Sequence, residues 1–414
     1  GFATTGCGGG SGEPATGADG KPVTGVGGST INKAAANKFN QAFDQLKQHD
    51  AANDWTDATC NSTAEQFLAA ANEQGSGETF FEAYYNAGIA YQRCKNDAKA
   101  REIFSDLLGK KPDFHRARVQ VALYDYAANK DIDKAIAEME QAIADAEFKN
   151  EEALVNLAMF QMTRDSSTGG SNCDSDFDCA KLNLQRALAI NDAFMPAFNQ
   201  LAVYYLESAK KKAGRKKTDA NIAAANEERK KADTQALELA ALVCSQALRK
   251  NPKYAPVYNT SGLISAELDD LSAAARAFGT ARQLDPKFFE AHMNYAAVNL
   301  QFRGFAQAED AYRQALKLRP NDYEAHLGLA LALRGGINDS NWDKNVQETE
   351  QLLEKAKGID GNRPETYYNE AILVQAFTAR EGGKKAERTL VKDDELYRKY
   401  AEKARQAKVQ LKRH

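Results

Sequence analysis

The sequence predicts an all-α fold, an open solenoid of helix pairs, and three observations predict it. The first is an internal repeat: Ala274, Phe278, Ala281 and Pro286 recur 34 residues later as Ala308, Tyr312, Ala315 and Pro320. A period of this length with small residues at fixed offsets marks a helix–turn–helix array. The second is the chemistry of those positions. Small residues stand where two helices approach closely, and each proline closes the second helix of its copy. The third is length: 414 residues fit an array, in which each unit packs only on its neighbours and no central core limits growth.

Residues 1–30 differ from the rest. They are rich in Gly, Ser, Thr and Pro and nearly free of large apolar side chains, so they are expected to form a flexible tether. From residue 31 the apolar spacing becomes helical. Ala36, Phe39, Phe43 and Leu46 predict one helix, and Trp55, Phe67, Ala70 and Ala71 its partner. This first pair is divergent, as terminal repeats are. The next pair carries Tyr84, Tyr85, Gly88, Tyr91, Ala100, Phe104 and Pro112. The third carries Val121, Ala122, Ala135, Met139 and Ala142. The fourth has Leu154, Leu157 and Ala158 on its first helix, and Leu184 and Ala187 on its second. Its turn is swollen by an insertion near 164–179. In the fifth, Phe198, Leu201, Ala202 and Tyr205 face Ala240, Cys244, Ala247 and Pro252 across a charged insertion, 210–234. After the two clean copies, a pair with His326, Leu329 and Ala330 has its turn lengthened near 335–342. A last unit opens at Pro364 with Tyr367, Asn369 and Ala371 and ends in a charged helix. The expected array is thus about nine helix pairs over residues 31–414, its polar final helix keeping the end soluble.

Tyr258, Gly262, Ala274, Phe278, Ala281 and Pro286 fall on the offsets of the tetratricopeptide repeat, and the chain resembles that family. The resemblance is specific over 81–112 and 255–320 and weaker towards the ends. It implies a right-handed superhelix whose first helices line a concave groove that binds proteins or extended peptides. Asn86, Asn156, Asn294 and Asn369 stand two residues after the aromatic or Leu position of their first helices, and Asn199 and Asn259 one residue after it. Amides repeated there resemble the asparagine ladder by which some arrays of this family hold a peptide backbone, a task suited to a group that both donates and accepts. The other reading is that Asn simply belongs to the family consensus at the first of these places. The family's cationic clamp for a C-terminal carboxylate is not expected, since Met293, Leu327 and Leu331 stand where its cations would be.

At the head of the chain, Ala3-Thr4-Thr5-Gly6-Cys7 followed by glycines resembles the cleavage site of a bacterial lipoprotein. The resemblance implies diacylation of Cys7 and a lipid anchor, although Thr4 replaces the usual Leu. An ordinary cysteine is the alternative. Of the other cysteines, Cys60 and Cys94 fall at helix ends that an array brings together, and Cys173 and Cys179 bracket one loop. Two disulfides are therefore expected, with Cys244 a buried free thiol in a core position. That pattern fits an oxidising compartment; the alternative is five reduced cysteines.

Other constellations have structural readings. Asp174, Asp176 and Asp178 are spaced like the opening of a calcium loop. Cys179 takes the glycine's place and Gln185 that of the bidentate Glu, so a solvated acidic loop is expected. His292 and His326 share one repeat position and are expected to pack between units, with no metal site. The basic run Lys210–Lys217, with Arg229–Lys231 beyond it, reads as a solvated extension of two helices or as a dock for acidic surfaces. The net charge of −3 argues against nucleic acid as a partner. No phosphate-binding glycine loop, nucleophile elbow or metalloprotease helix is present, so no enzymatic activity and no cofactor are expected. The expectation is a scaffold lipoprotein of the periplasm, tethered to the outer membrane. It would bind protein subunits of an envelope machine such as a pilus secretin or a gliding-motility complex. An activator of a cell-wall enzyme and a cytosolic peptide adaptor are the alternatives.

Overall fold

The structure of the protein, a computed structural model, describes residues 13–52, 54–75, 79–168, 173–215 and 222–381. The chain divides into two compact units, 1–200 and 201–414. The first contains α1 (Lys33–Ala52) to α4 (Asp97–Lys110), by way of α2 (Asp57–Glu73) and α3 (Phe81–Arg93). It continues with α5 (His115–Asn129), α6 (Ile132–Asp145), α7 (Glu151–Arg164) and α8 (Asp176–Ile190), and with the start of α9 (Met195–Arg215). The second contains the rest of α9, α10 (Ile222–Lys250), α11 (Ala255–Glu267), α12 (Leu271–Leu284) and α13 (Phe289–Gln301). Then follow α14 (Phe305–Leu318), α15 (Tyr323–Gly335), α16 (Trp342–Ile359) and α17 (Pro364–Glu381). From α1 to α8, and again from α10 to α17, each helix packs on its neighbour in the chain, and several successive first helices also touch. This is the packing of a solenoid of helix pairs, with no extended strand among the described residues.

The local sequence explains the punctuation. Asn96, Asp131, Asn150, Asp270 and Asp322 each cap a helix by accepting the backbone N–H three residues on, a device worth about 1 kcal/mol per helix. Inside the pairs, Lys95, Lys130, Asp269 and Arg303 adopt left-handed backbone at the tight turn between first and second helix, and Asp165 does so where α7 ends. The core is the seam between paired helices. Phe104 and Phe278 are fully buried against Gly88 and Gly262 of the facing helices, where a Cβ would stand 2.5 and 2.6 Å from the rings.

From α11 onward, one residue position ties each helix pair to the turn before it. The fourth residue of α11, α13, α15 and α17 is Tyr258, His292, His326 and Tyr367. Each donates to the carbonyl six residues upstream, at Pro252, Pro286, Pro320 and Gly361, over 2.9 to 3.0 Å. The two histidines are buried and act as packing residues, as expected, with Nε2 as donor. Burial holds His292 below the ordinary histidine pKa.

Residues 13–30, expected to belong to a tether, are folded together with Ile31 and Asn32. The eight-residue pattern Pro14-Ala-Thr-Gly … Pro22-Val-Thr-Gly … Thr30-Ile31 builds a closed triangle of backbone bonds. Ala15 N–H donates to Ile31, Ile31 to Val23 and Val23 to Ala15, each over 2.8 Å. Two glycine turns with positive φ at Gly20 and Gly28 make the corners. Ile31, 1% exposed, plugs the triangle into a core with Ala35, Ala70, Phe80 and Ala83. Asn32 and Thr30 are clamped by Gln74, and Val26 N–H by Glu82. Low apolar content does not prevent order here, because the triangle satisfies its own backbone and borrows a core built by α1, α2 and the start of α3. Residues 1–12, with Cys7, lie outside the described residues, as does the part of the charged C-terminal helix expected beyond residue 381.

The insertions lengthen elements already present. Residues 210–215 and 222–234 belong to α9 and α10, which run to 21 and 29 residues, and residues 216–221 lie outside the described residues. Lys210 reaches Glu207 and Glu267, and the side chains of the basic run beyond Lys211 lie outside the description. Residues 336–341 form the turn before α16.

Candidate functional site

The first helices are the shared elements of both units, and their side chains meet from one pair to the next. In the first unit Gln92 Nε2 of α3 donates to Gln120 Oε1 of α5 over 2.8 Å. Gln120 Nε2 in turn donates to Glu152 Oε1 of α7 over 2.7 Å. A file of two amides and a carboxylate thus crosses three successive first helices. Burial raises the pKa of Glu152, and the bond from Gln120 partly offsets that. Tyr85 sits in the same file; burial, and then the Glu152 charge, push its phenol well above the ordinary range.

In the second unit Asn294 Nδ2 donates to Asn259 Oδ1 over 2.9 Å, from α13 to α11. Arg334 Nη1 donates to Asn369 Oδ1 over 2.7 Å, from α15 to α17. The geometry repeats between units. Gln92 and Arg334 are each the twelfth residue of a first helix, and Gln120 and Asn369 are each the sixth residue of the next.

The six asparagines therefore do different things. Asn259 and Asn294 are brought together, and Asn369 is joined to Arg334. Asn86, Asn156 and Asn369 each turn Nδ2 back to the carbonyl four residues earlier, at Glu82, Glu152 and Glu365, over 2.8 to 3.0 Å. For these three the Nδ2 group has one donor engaged at home. Asn199 is half-buried near the start of α9. Gln92, Gln120, Glu152 and Arg334 are not among the residues the sequence singles out. Gln92 and Gln120 stand at different places in their helices, so no repeated residue type marks their pairing, and nothing in the sequence separates Arg334 from the other arginines.

The four paired cysteines join as expected. Cys60 of α2 bridges to Cys94 at the end of α3 with Cα atoms 6.3 Å apart, and Cys173 to Cys179 with Cα atoms 5.2 Å apart. Cys244 is a buried free thiol that burial pushes up to about 12. The loop between Cys173 and Cys179 departs from a solvated acidic loop at its centre. Asp176 is 1% exposed and grips Arg164 through both oxygens at 2.7 and 2.8 Å, while Ser166 N–H donates to it at 3.0 Å. Its carboxyl is held below the usual range: the Arg164 and Ser166 bonds outweigh burial. Asp178 instead interacts with the helix cap Ser175. The loop closes the end of α7 through an ion pair. No cluster of metal-ligating side chains occurs among the described residues, and no described helix is long and apolar enough to cross a membrane.

No family model and no curated protein sequence matches the chain. Solved structures do. The Cut9–Hcn1 hetero-tetramer of the APC/C is similar over 81% of this chain and 54% of its own, with 14% identity and a TM-score of 0.53. The tetratricopeptide protein TTC0263 of Thermus thermophilus is 22% identical, over 53% of this chain and 99% of its own, at TM-score 0.42. The pilF protein of Pseudomonas aeruginosa is 19% identical, over 58% and 90%, at TM-score 0.39. With the helix pairs and their packing, the first of these likenesses establishes a tetratricopeptide-like fold.

Proposed function

We propose that this tetratricopeptide-like protein is a non-enzymatic scaffold that binds protein partners along the first-helix faces of its units. The observation that carries the reading is the inter-repeat file of polar side chains: Gln92–Gln120–Glu152 in one unit, Asn259–Asn294 and Arg334–Asn369 in the other. Amides and charges fixed in this way are preorganised, so a partner's backbone and side chains meet groups whose ordering entropy is already lost. Asn86, Asn156 and Asn199 belong to the same proposed face.

The compartment is part of the proposal. Two cysteine pairs within bonding distance favour an oxidising environment. Together with the lipoprotein-like sequence at Cys7, they support a periplasmic protein tethered by lipid to the outer membrane and serving an envelope assembly such as a pilus secretin or a gliding-motility complex. The test is the intact mass of the chain expressed from its full-length precursor in a bacterial envelope, with free thiols alkylated before reduction, followed by copurification from the same membranes. A diacylglyceryl-type mass on Cys7, two protected cysteine pairs and recovery of envelope subunits are expected. An unmodified Cys7 with every thiol alkylated would overturn the compartment and, with it, the envelope assembly.

A further inference from the structure

Among the described residues, Arg334 is a cation without a counter-charge. Arg118, Arg164, Arg282, Arg313, Arg319 and Arg363 each reach at least one carboxylate within 3.0 Å. Arg334, half-buried on α15, reaches none among the described residues; its one hydrogen bond goes to the neutral amide of Asn369. Burial depresses its pKa below the ordinary arginine value. A guanidinium presents five donors, and Nε and Nη2 of Arg334 make no hydrogen bond among the described residues, while the residue as a whole keeps partial exposure.

The bridge to the next helix does not explain the charge. In the first unit the equivalent contact, from twelfth residue to sixth, is made by Gln92 and Gln120, so a neutral amide suffices. A partly desolvated charge held without a partner costs stability, and such a cost is retained where function uses the group. The surroundings narrow the choice of ligand. Leu327, Leu331 and Arg334 are spaced i, i+4, i+7 and so share one stripe of α15. Leu331 is half-buried. A planar donor fork beside leucines suits a carboxylate flanked by apolar groups.

We propose that Arg334, braced by Asn369, binds a carboxylate of a protein partner, from an acidic side chain or a free C-terminus, set among apolar residues. This rests on the scaffold reading and deepens it. The site is one helical turn beyond the places where a two-cation clamp would need its charges, which Leu327 and Leu331 occupy.

Three fluorescein-labelled peptides test it by anisotropy against the full chain. One ends in Leu-Ala-Leu with a free carboxylate, one contains Leu-Glu-Leu with an amidated end, and the control is Leu-Gln-Leu amide. One or both carboxylate peptides are expected to bind at least about tenfold more tightly than the control, as a charged hydrogen bond of this kind supplies, and which one binds identifies the source. Arg334→Met is expected to remove that preference without lowering the thermal midpoint. Asn369→Asp, which supplies an internal counter-ion, is expected to remove it while raising the midpoint. Equal binding of the control, no binding of either carboxylate peptide at millimolar concentration, or a lower midpoint in Arg334→Met with the preference intact would overturn the proposal. Envelope subunits copurifying undiminished with Arg334→Met would sink this site alone and leave the scaffold standing.

Discussion

Replacing Gly262 by alanine isolates the contact on which the repeat is built. A Cβ at this position would meet the Phe278 ring at 2.6, 2.7 and 2.9 Å, and that ring is 1% exposed, so it has no solvent into which to move. Overpacking a closed core costs about 1–3 kcal/mol. With three ring atoms inside van der Waals contact, the upper end applies. Alanine recovers about 1 kcal/mol of helix propensity over glycine, which leaves a net loss of about 2 kcal/mol. Gly109 of α4 is the control, because a Cβ there meets nothing within 4 Å. Gly109→Ala should therefore stabilise by nearly the whole propensity gain, about 1 kcal/mol. Urea unfolding followed by circular dichroism gives the two signs, and hydrogen exchange places the first loss in α11 and α12. A double-mutant cycle with Phe278→Leu completes the test, since a narrower partner should absorb part of the clash. Should Gly262→Ala stabilise as Gly109→Ala does, close approach of α11 to Phe278 would not be the contact that requires glycine.

Three further outcomes follow from the same structure. Reducing Cys60–Cys94, or replacing both by alanine, removes a cross-link spanning 34 residues; loop-closure entropy sets its worth at about 4 kcal/mol, visible as faster hydrogen exchange in α2 and α3. Glu152→Gln should raise stability at pH 7. The folded pKa of Glu152 is raised above the ordinary glutamate value, chiefly by burial, so its favourable contribution is present below the unfolded pKa and lost as pH rises through the folded one. Thermal midpoints of the two proteins should converge below about pH 4, and a gap that persists undiminished under more acidic conditions would contradict this origin. Ile31→Ala empties the plug of the N-terminal triangle at a cost of about 3 kcal/mol; protease sensitivity should then appear within residues 13–32.

Much of the fold is legible because its cause is periodic. Glycine, alanine, aromatic and proline recur where two helices must touch and where the second must stop, so the roles of Gly262, Phe278 and Pro286 can be read from their spacing alone. The cysteine pairs are legible for a related reason: an array fixes which helix ends are neighbours, and that puts Cys60 beside Cys94. Residues 13–30 read as a tether because composition reports how much apolar surface a segment owns. It does not report a backbone triangle that borrows a core built by α1, α2 and the start of α3.

The sequence by itself determined the helix pairs, their order and the aromatic-on-glycine seam, since these follow from spacing along one chain. Tertiary structure decided what the first-helix faces present. Whether Asn156 turns home to Glu152, whether Gln92 finds Gln120, and whether Arg334 meets a carboxylate all depend on the distance between side chains brought together by folding. Between repeats, that distance is set by packing summed over helices whose lengths and turns differ, and no local pattern encodes it.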